Sequence, residues 1–173
     1  DLDGVLVDFD KGYKDLTGKL PKEISDDAEF WEPIHKAGAA FWIKLKWMPD
    51  GQTLWNYIKQ YDPILLSAPS REESSKIGKR IWVKNNLPNT KLILSPAQYK
   101  KRYAGGNKIL IDDREQNIYD WISSYTNVDG FDGYKKLKFL TKEFSGKLTP
   151  YSDGILTNLN NLNNPIAISI QNP

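Results

Sequence analysis

Three places in this chain carry side chains whose types and spacing could do chemistry: Asp1-Leu2-Asp3-Gly4, Ser67, and the pair Asp112-Asp113. Each is expected at the carboxyl end of a β-strand, and in an open parallel sheet ligands bind just beyond those ends. Residues far apart in sequence can therefore meet there. Four carboxylates drawn together repel one another and raise each other's pKa unless a cation sits among them. The chain has no cysteine and a single histidine, His35, so the cluster is built from oxygen alone. Such a set selects a hard cation, with Mg²⁺ the first choice. The absence of cysteine also excludes a disulfide scaffold, a thiolate zinc site and a cysteine nucleophile.

The elements that must position these groups follow from apolar patterning. Pro63-Ile64-Leu65-Leu66-Ser67 reads as a short buried strand, continuously apolar as parallel strands tend to be. Ser70 to Glu73 has the S-x-x-E form of a capping box, which opens a helix carrying Ile77, Ile81 and Trp82 on one face and ending near Leu87-Pro88. Lys91 to Leu94 and Lys108 to Ile111 are the next strands. Asp113 is placed to cap a helix with Ile118, Trp121, Ile122 and Tyr125 at i, i+3, i+4, i+7 spacing. Strands alternating with helices imply an α/β fold with a parallel sheet flanked by helices. A further strand of about four or five apolar residues is expected immediately upstream of Asp1.

Lys11 to Gln60 has weak strand signals and holds Trp31, Trp42, Trp47 and Trp55 with Phe30 and Phe41. It reads as a compact, mainly helical insert after the first strand, its aromatics chiefly core. The expected organisation is thus a catalytic core over 1–10 and 61–145, a small aromatic-rich cap over 11–60, and an Asn-rich extension over 146–173 that ends in a short strand at Ile166 to Ile170. A length of 173 residues suits one such domain. The formal net charge of +2 offers no global case for a nucleic-acid or membrane binder. No apolar run approaches the roughly 18 residues of a membrane helix, and no signal peptide is visible.

DLDGVLVDF, the strand-terminal Ser of ILLSAPS, downstream lysines and ILIDDR together resemble the four motifs of the haloacid dehalogenase (HAD) superfamily of phosphotransferases. Within it the chain is most similar to the 5'(3')-deoxyribonucleotidases, through Phe9, the aromatic cap and the IDDR segment. The resemblance spans about Asp1 to Phe144. It implies a Rossmann-like core and a cytoplasmic, Mg²⁺-dependent phosphomonoesterase that acts on (deoxy)nucleoside monophosphates through an aspartyl-phosphate.

By the same resemblance, Asp1 is the nucleophile, and Asp3 protonates the leaving alkoxide and then activates water. The carbonyl of Asp3 joins Asp1, Asp112 and Asp113 around Mg²⁺, with Asp113 favoured as a direct ligand. Gly4 is expected to let the chain turn sharply and leave neighbouring N–H groups free for phosphate. The hydroxyl of Ser67 and the N–H of Ala68 would hold a phosphate oxygen. Lys100 or Lys101 would neutralise the phosphoryl group and nucleophile, and Lys79 would face the phosphate. Phe9, Phe41 and Trp42 would stack on the base. Arg114, Asp8, Asp10 and His35 are expected to be structural or surface residues. The 3'-phosphate ends of nucleic acid and sugar phosphates are the alternative substrates, the former using a basic groove drawn from Lys76, Lys79, Arg80, Lys100, Lys101 and Arg102. A non-catalytic binding module is the alternative of a different class.

Overall fold

The computed structural model describes residues 1–105, residues 108–124 and the strand Ile166–Ser169. Tyr125 and the rest of the expected core and extension lie outside the described residues. The chain is a mixed α/β protein divided into two compact units, Leu2–Ser95 and Asp1 with Pro96 onward.

In the first unit the span assigned to the cap is helical. Helix α1 (Phe9–Thr17) starts where Asp8 accepts the Lys11 N–H at 2.9 Å, and ends at Gly18, whose φ of 80° a side chain would oppose. Helix α2 (Asp27–Ala37) is capped by Asp26 and stops at Gly38, also at positive φ. Helices α3 (Ala39–Lys44) and α4 (Gly51–Ile58) follow. Strand β1 (Leu65–Ser67) is buried throughout and pairs in parallel with β2 (Leu92–Leu94), aligning Leu65 with Leu92 and Ser67 with Leu94. Between them runs α5 (Glu73–Asn86). This is the strand–helix–strand order that parallel pairing requires.

Helix α5 departs from its sequence reading at two points. No capping box forms at Ser70: the helix begins at Glu73, and the Ser70 carbonyl instead accepts the Ser75 hydroxyl at 3.4 Å. The buried face comprises Ser75, Gly78, Lys79, Trp82 and Val83, while Ile77 is exposed. Packing against α3 sets this rotation. A Cβ on Gly78 would stand 2.4 Å from the Trp42 Cβ and 2.9 Å from the Ala39 carbonyl, so only glycine allows the approach. The Trp82 indole N–H donates to the Leu45 carbonyl at 2.8 Å, fixing the other end of the contact. Gly78 and Lys79 occupy the part of this face that meets Trp42, where the partner helix supplies the large aromatic.

The second unit contains a 3-10 helix (Ala97–Tyr103), β3 (Ile109–Asp112), α6 (Glu115–Ser123) and β4 (Ile166–Ser169). Strands β3 and β4 pair in parallel, Ile109 against Ile166 and Asp112 against Ser169. Ile118 and Trp121 of α6 are buried as their spacing predicts. Asp113 does not cap α6. The Asp112 carboxylate takes the Arg114 N–H at 3.0 Å, and the Arg114 carbonyl accepts from Asn117 and Ile118 at 3.0 and 3.2 Å. The helix starts at Glu115, so Arg114 and not Asp113 stands at the capping position before its first turn. Among the described residues no helix is long and apolar enough to cross a membrane.

Candidate functional site

Each unit carries one cluster of the residues singled out above. In the second unit the Asp1 nitrogen donates to the Ile111 carbonyl at 2.7 Å, which seats Asp1 beside the end of β3. Asp1, Asp112 and Asp113 each offer a carboxylate oxygen within 4.8 Å of the others. Lys100 reaches in from the 3-10 helix, its Nζ 2.5 Å from Asp1 Oδ2 and 2.7 Å from Asp112 Oδ2. The lysine side chain is 1% exposed and that of Asp112 0%. The other oxygen of Asp112, Oδ1, accepts both the Arg114 N–H and the Asn117 side-chain amide, the latter at 2.8 Å. Lys101, its neighbour, is exposed. The structure thus brings Lys100, and not Lys101, to the carboxylates.

Asn117 escaped the sequence reading. Its only sequence signal is its position five residues after Asp112, which places it in the first turn of α6 under the carboxylate. A polar residue on an otherwise apolar helix face is the cue, since a buried amide must find a partner.

One lysine cannot balance three carboxylates. Burial first, and the Asp112 charge second, push the Asp113 carboxyl above its ordinary value of 3.8. Between its ordinary value and the raised one, the folded protein therefore holds a proton there that the unfolded chain has released. Stability is lost as pH rises through the interval between that ordinary value and the raised folded one. Asp113→Asn is accordingly expected to raise the melting temperature at pH 7 in the presence of chelator, with the gain narrowing toward pH 4. Thermal melts across that range check it, and a variant less stable than the parent at pH 7 would contradict it.

In the first unit Asp3 pairs with Lys79, whose Nζ also donates to the Ser67 hydroxyl at 3.1 Å. Ser67 ends β1 and is fully buried, and its carbonyl accepts the Ser95 N–H at 3.0 Å. Ala68 follows, half-buried. The Lys79 Nζ lies 4.9 Å from the centre of the Trp42 ring, a cation–π contact that helps hold a buried ammonium. Gly4 adopts φ 73° as the turn requires. The turn uses its own amides, however: Gly4 donates to the Val7 carbonyl, and Val5, Leu6 and Val7 all donate to the Leu2 carbonyl. The expectation that these N–H groups stay free for phosphate is corrected, because a turn this tight folds its donors inward.

Phe9, Phe41 and Trp42 belong to one aromatic cluster, with Phe9 5.6 Å from Phe41 and 5.7 Å from Trp42 between ring centres. Tyr13 and Phe30 complete it, stacked at 4.8 Å. Phe41 and Trp42 are buried, whereas Phe9 is half-buried. The buried Trp42 indole N–H has no hydrogen-bond partner among the described residues. His35 is exposed and stacks on Trp31. Of the cations assigned to a basic groove in this unit, Lys76 and Arg80 pair with Glu73 and Lys79 with Asp3.

No family model, curated protein or solved structure matches this chain.

Proposed function

We propose that the protein is a Mg²⁺-dependent phosphomonoesterase that acts in the cytoplasm on (deoxy)nucleoside monophosphates, with a Rossmann-like HAD core and a helical cap. The observation that carries this reading is the buried Lys100 bonded to both Asp1 and Asp112 at the end of β3. A lysine held on the candidate nucleophile suits a site that must accept a dianionic phosphate. The donor set also fits the implied cation: three carboxylate oxygens and no sulfur or imidazole suit a hard ion. Asp1, Asp112 and Asp113 would hold it, and its two positive charges would offset the carboxylate and phosphate charge that Lys100 leaves unbalanced.

In this mechanism the Asp1 carboxylate attacks phosphorus in line, and the P–O bond to the leaving alkoxide breaks. Asp3 gives that alkoxide its proton, then takes one from the water that cleaves the acyl phosphate. Lys79, bonded to Asp3, keeps its carboxyl oriented and limits the build-up of negative charge beside it. Ser67, on the same lysine, supplies a hydroxyl for a phosphate oxygen. Phe9 offers ring surface to a base, which stacking would bind at about 1–3 kcal/mol.

Phosphate release from a panel of nucleoside monophosphates and unrelated phosphomonoesters tests the reading, each run with Mg²⁺, with chelator and with Asp3→Asn. Turnover of deoxynucleotides is expected to need the metal and to fall about 10²–10⁴-fold in the variant, the range for a positioned general acid–base. An absence of phosphate release from every compound would overturn it.

A further inference from the structure

We propose that an exposed strip on the 3-10 helix, made by Tyr99, Lys101, Arg102 and Tyr103 with Lys108, binds single-stranded nucleic acid and leads its phosphorylated end to the Asp1–Asp112 cluster. The second half of that statement rests on the phosphomonoesterase reading; the first does not. From Pro96 to Lys108 the sequence has four cations and no acid. Lys100 is spent on Asp1 and Asp112. Lys101, Arg102 and Lys108 are exposed and make no ion pair among the described residues. Other exposed lysines such as Lys14, Lys44 and Lys91 also make no ion pair among the described residues, so what marks this strip is the closeness of its cations and the absence of any acid along it. Charge left uncompensated over so short a segment is felt locally despite the near-neutral total, because screening acts beyond roughly 10 Å.

Rings interleave with these cations. Tyr99 is 40% and Tyr103 36% exposed, and the Arg102 guanidinium lies 4.1 Å from the Tyr99 ring centre. Lys108 Nζ donates to the Tyr103 carbonyl at 3.1 Å, which brings its charge to the same strip. The backbone is held from beneath, where the Ser124 hydroxyl donates to the Lys101 carbonyl at 3.2 Å. Aromatic faces for bases beside cations for phosphates are what a single strand requires, and they read no particular sequence. An acidic peptide would use the charges and leave the rings idle. Lys100 ties the strip to the cluster: flanked by Tyr99 and Lys101 in the chain, it is the residue that enters the carboxylates.

The test is fluorescence anisotropy of the full chain with labelled oligothymidylate of about twelve nucleotides bearing a hydroxyl end, in chelator. Binding is expected to weaken with salt at a log–log slope of about −2, for three cations on a single strand. Tyr99→Ala is expected to lose at least about fivefold in affinity and Tyr99→Phe to keep it, since only the ring is needed. Arg102→Glu is expected to lose more than Tyr99→Ala. Binding that is absent at low salt, or that Tyr99→Ala and Arg102→Glu leave unchanged, would overturn the proposal. Parallel assays of phosphate release from p-nitrophenyl phosphate and from 3'- and 5'-phosphorylated oligothymidylate separate the two readings. Oligonucleotide binding without release from any of them supports the strip and overturns the phosphatase. Release from p-nitrophenyl phosphate without oligonucleotide binding overturns the strip alone.

Discussion

Lys100→Met is expected to cost about 3–5 kcal/mol of folding stability, the range for removing one partner of a buried ion pair. Methionine keeps most of the aliphatic volume, so the loss reads charge and not packing. Asp112 has no exposed side-chain surface and Asp1 only 8%, so neither can turn to water for compensation. At about 2–4 °C per kcal/mol the melting temperature should fall by roughly 6–20 °C. Added Mg²⁺ should recover part of it at pH 7, because a cation that binds only the folded state stabilises it by mass action. Thermal melts with and without the ion check both points. A variant as stable as the parent at pH 7 would mean that the lysine is not what holds these carboxylates together.

Asp1→Asn is expected to abolish turnover, lowering kcat by on the order of 10³-fold or more, as loss of a covalent nucleophile does. The amide matches the carboxylate in shape but cannot form an acyl phosphate. Lys100 retains Asp112 in this variant, so the fold should survive and the effect should appear in rate alone. Rapid acid quench of the parent with labelled substrate should trap a phosphorylated protein that hydroxylamine discharges, and Asp1→Asn should show none. If Asp1→Asn turned over normally while Asp3→Asn did not, a water molecule and not Asp1 would be the attacking group.

Helices and strands were legible where the pattern is local. Leu65-Leu66-Ser67 and Leu92-Ile93-Leu94 are short apolar runs bounded by polar residues, and they became a parallel pair. Ile118 and Trp121, three apart, lie buried on one face of α6. The errors came where a neighbour in space outvoted the local code. Ile77 looked like a core residue on spacing, yet the α3 aromatics needed the small face around Gly78, which turned Ile77 outward. Ser70 had the right partner for a capping box, but its carbonyl went to Ser75. Asp113 had the right type for a helix cap, but the helix starts at Glu115, which leaves Arg114 and not Asp113 at the position before its first turn.

The same division holds for the chemistry. Residue type and order in the sequence alone determined that a cation site here must be all oxygen, that acids stand at Asp1, Asp3, Asp112 and Asp113, and that a lysine precedes the last pair. Those conclusions need only side-chain chemistry and the period of a strand. Only the tertiary structure decided between Lys100 and Lys101 for the place among the carboxylates, and it recruited Asn117 and spent the Gly4 turn's amides on the turn itself. Adjacent lysines carry the same charge and reach. What separates them is which one a 3-10 helix turns inward, and that is set by contacts between residues as far apart as Asp1 and Lys100.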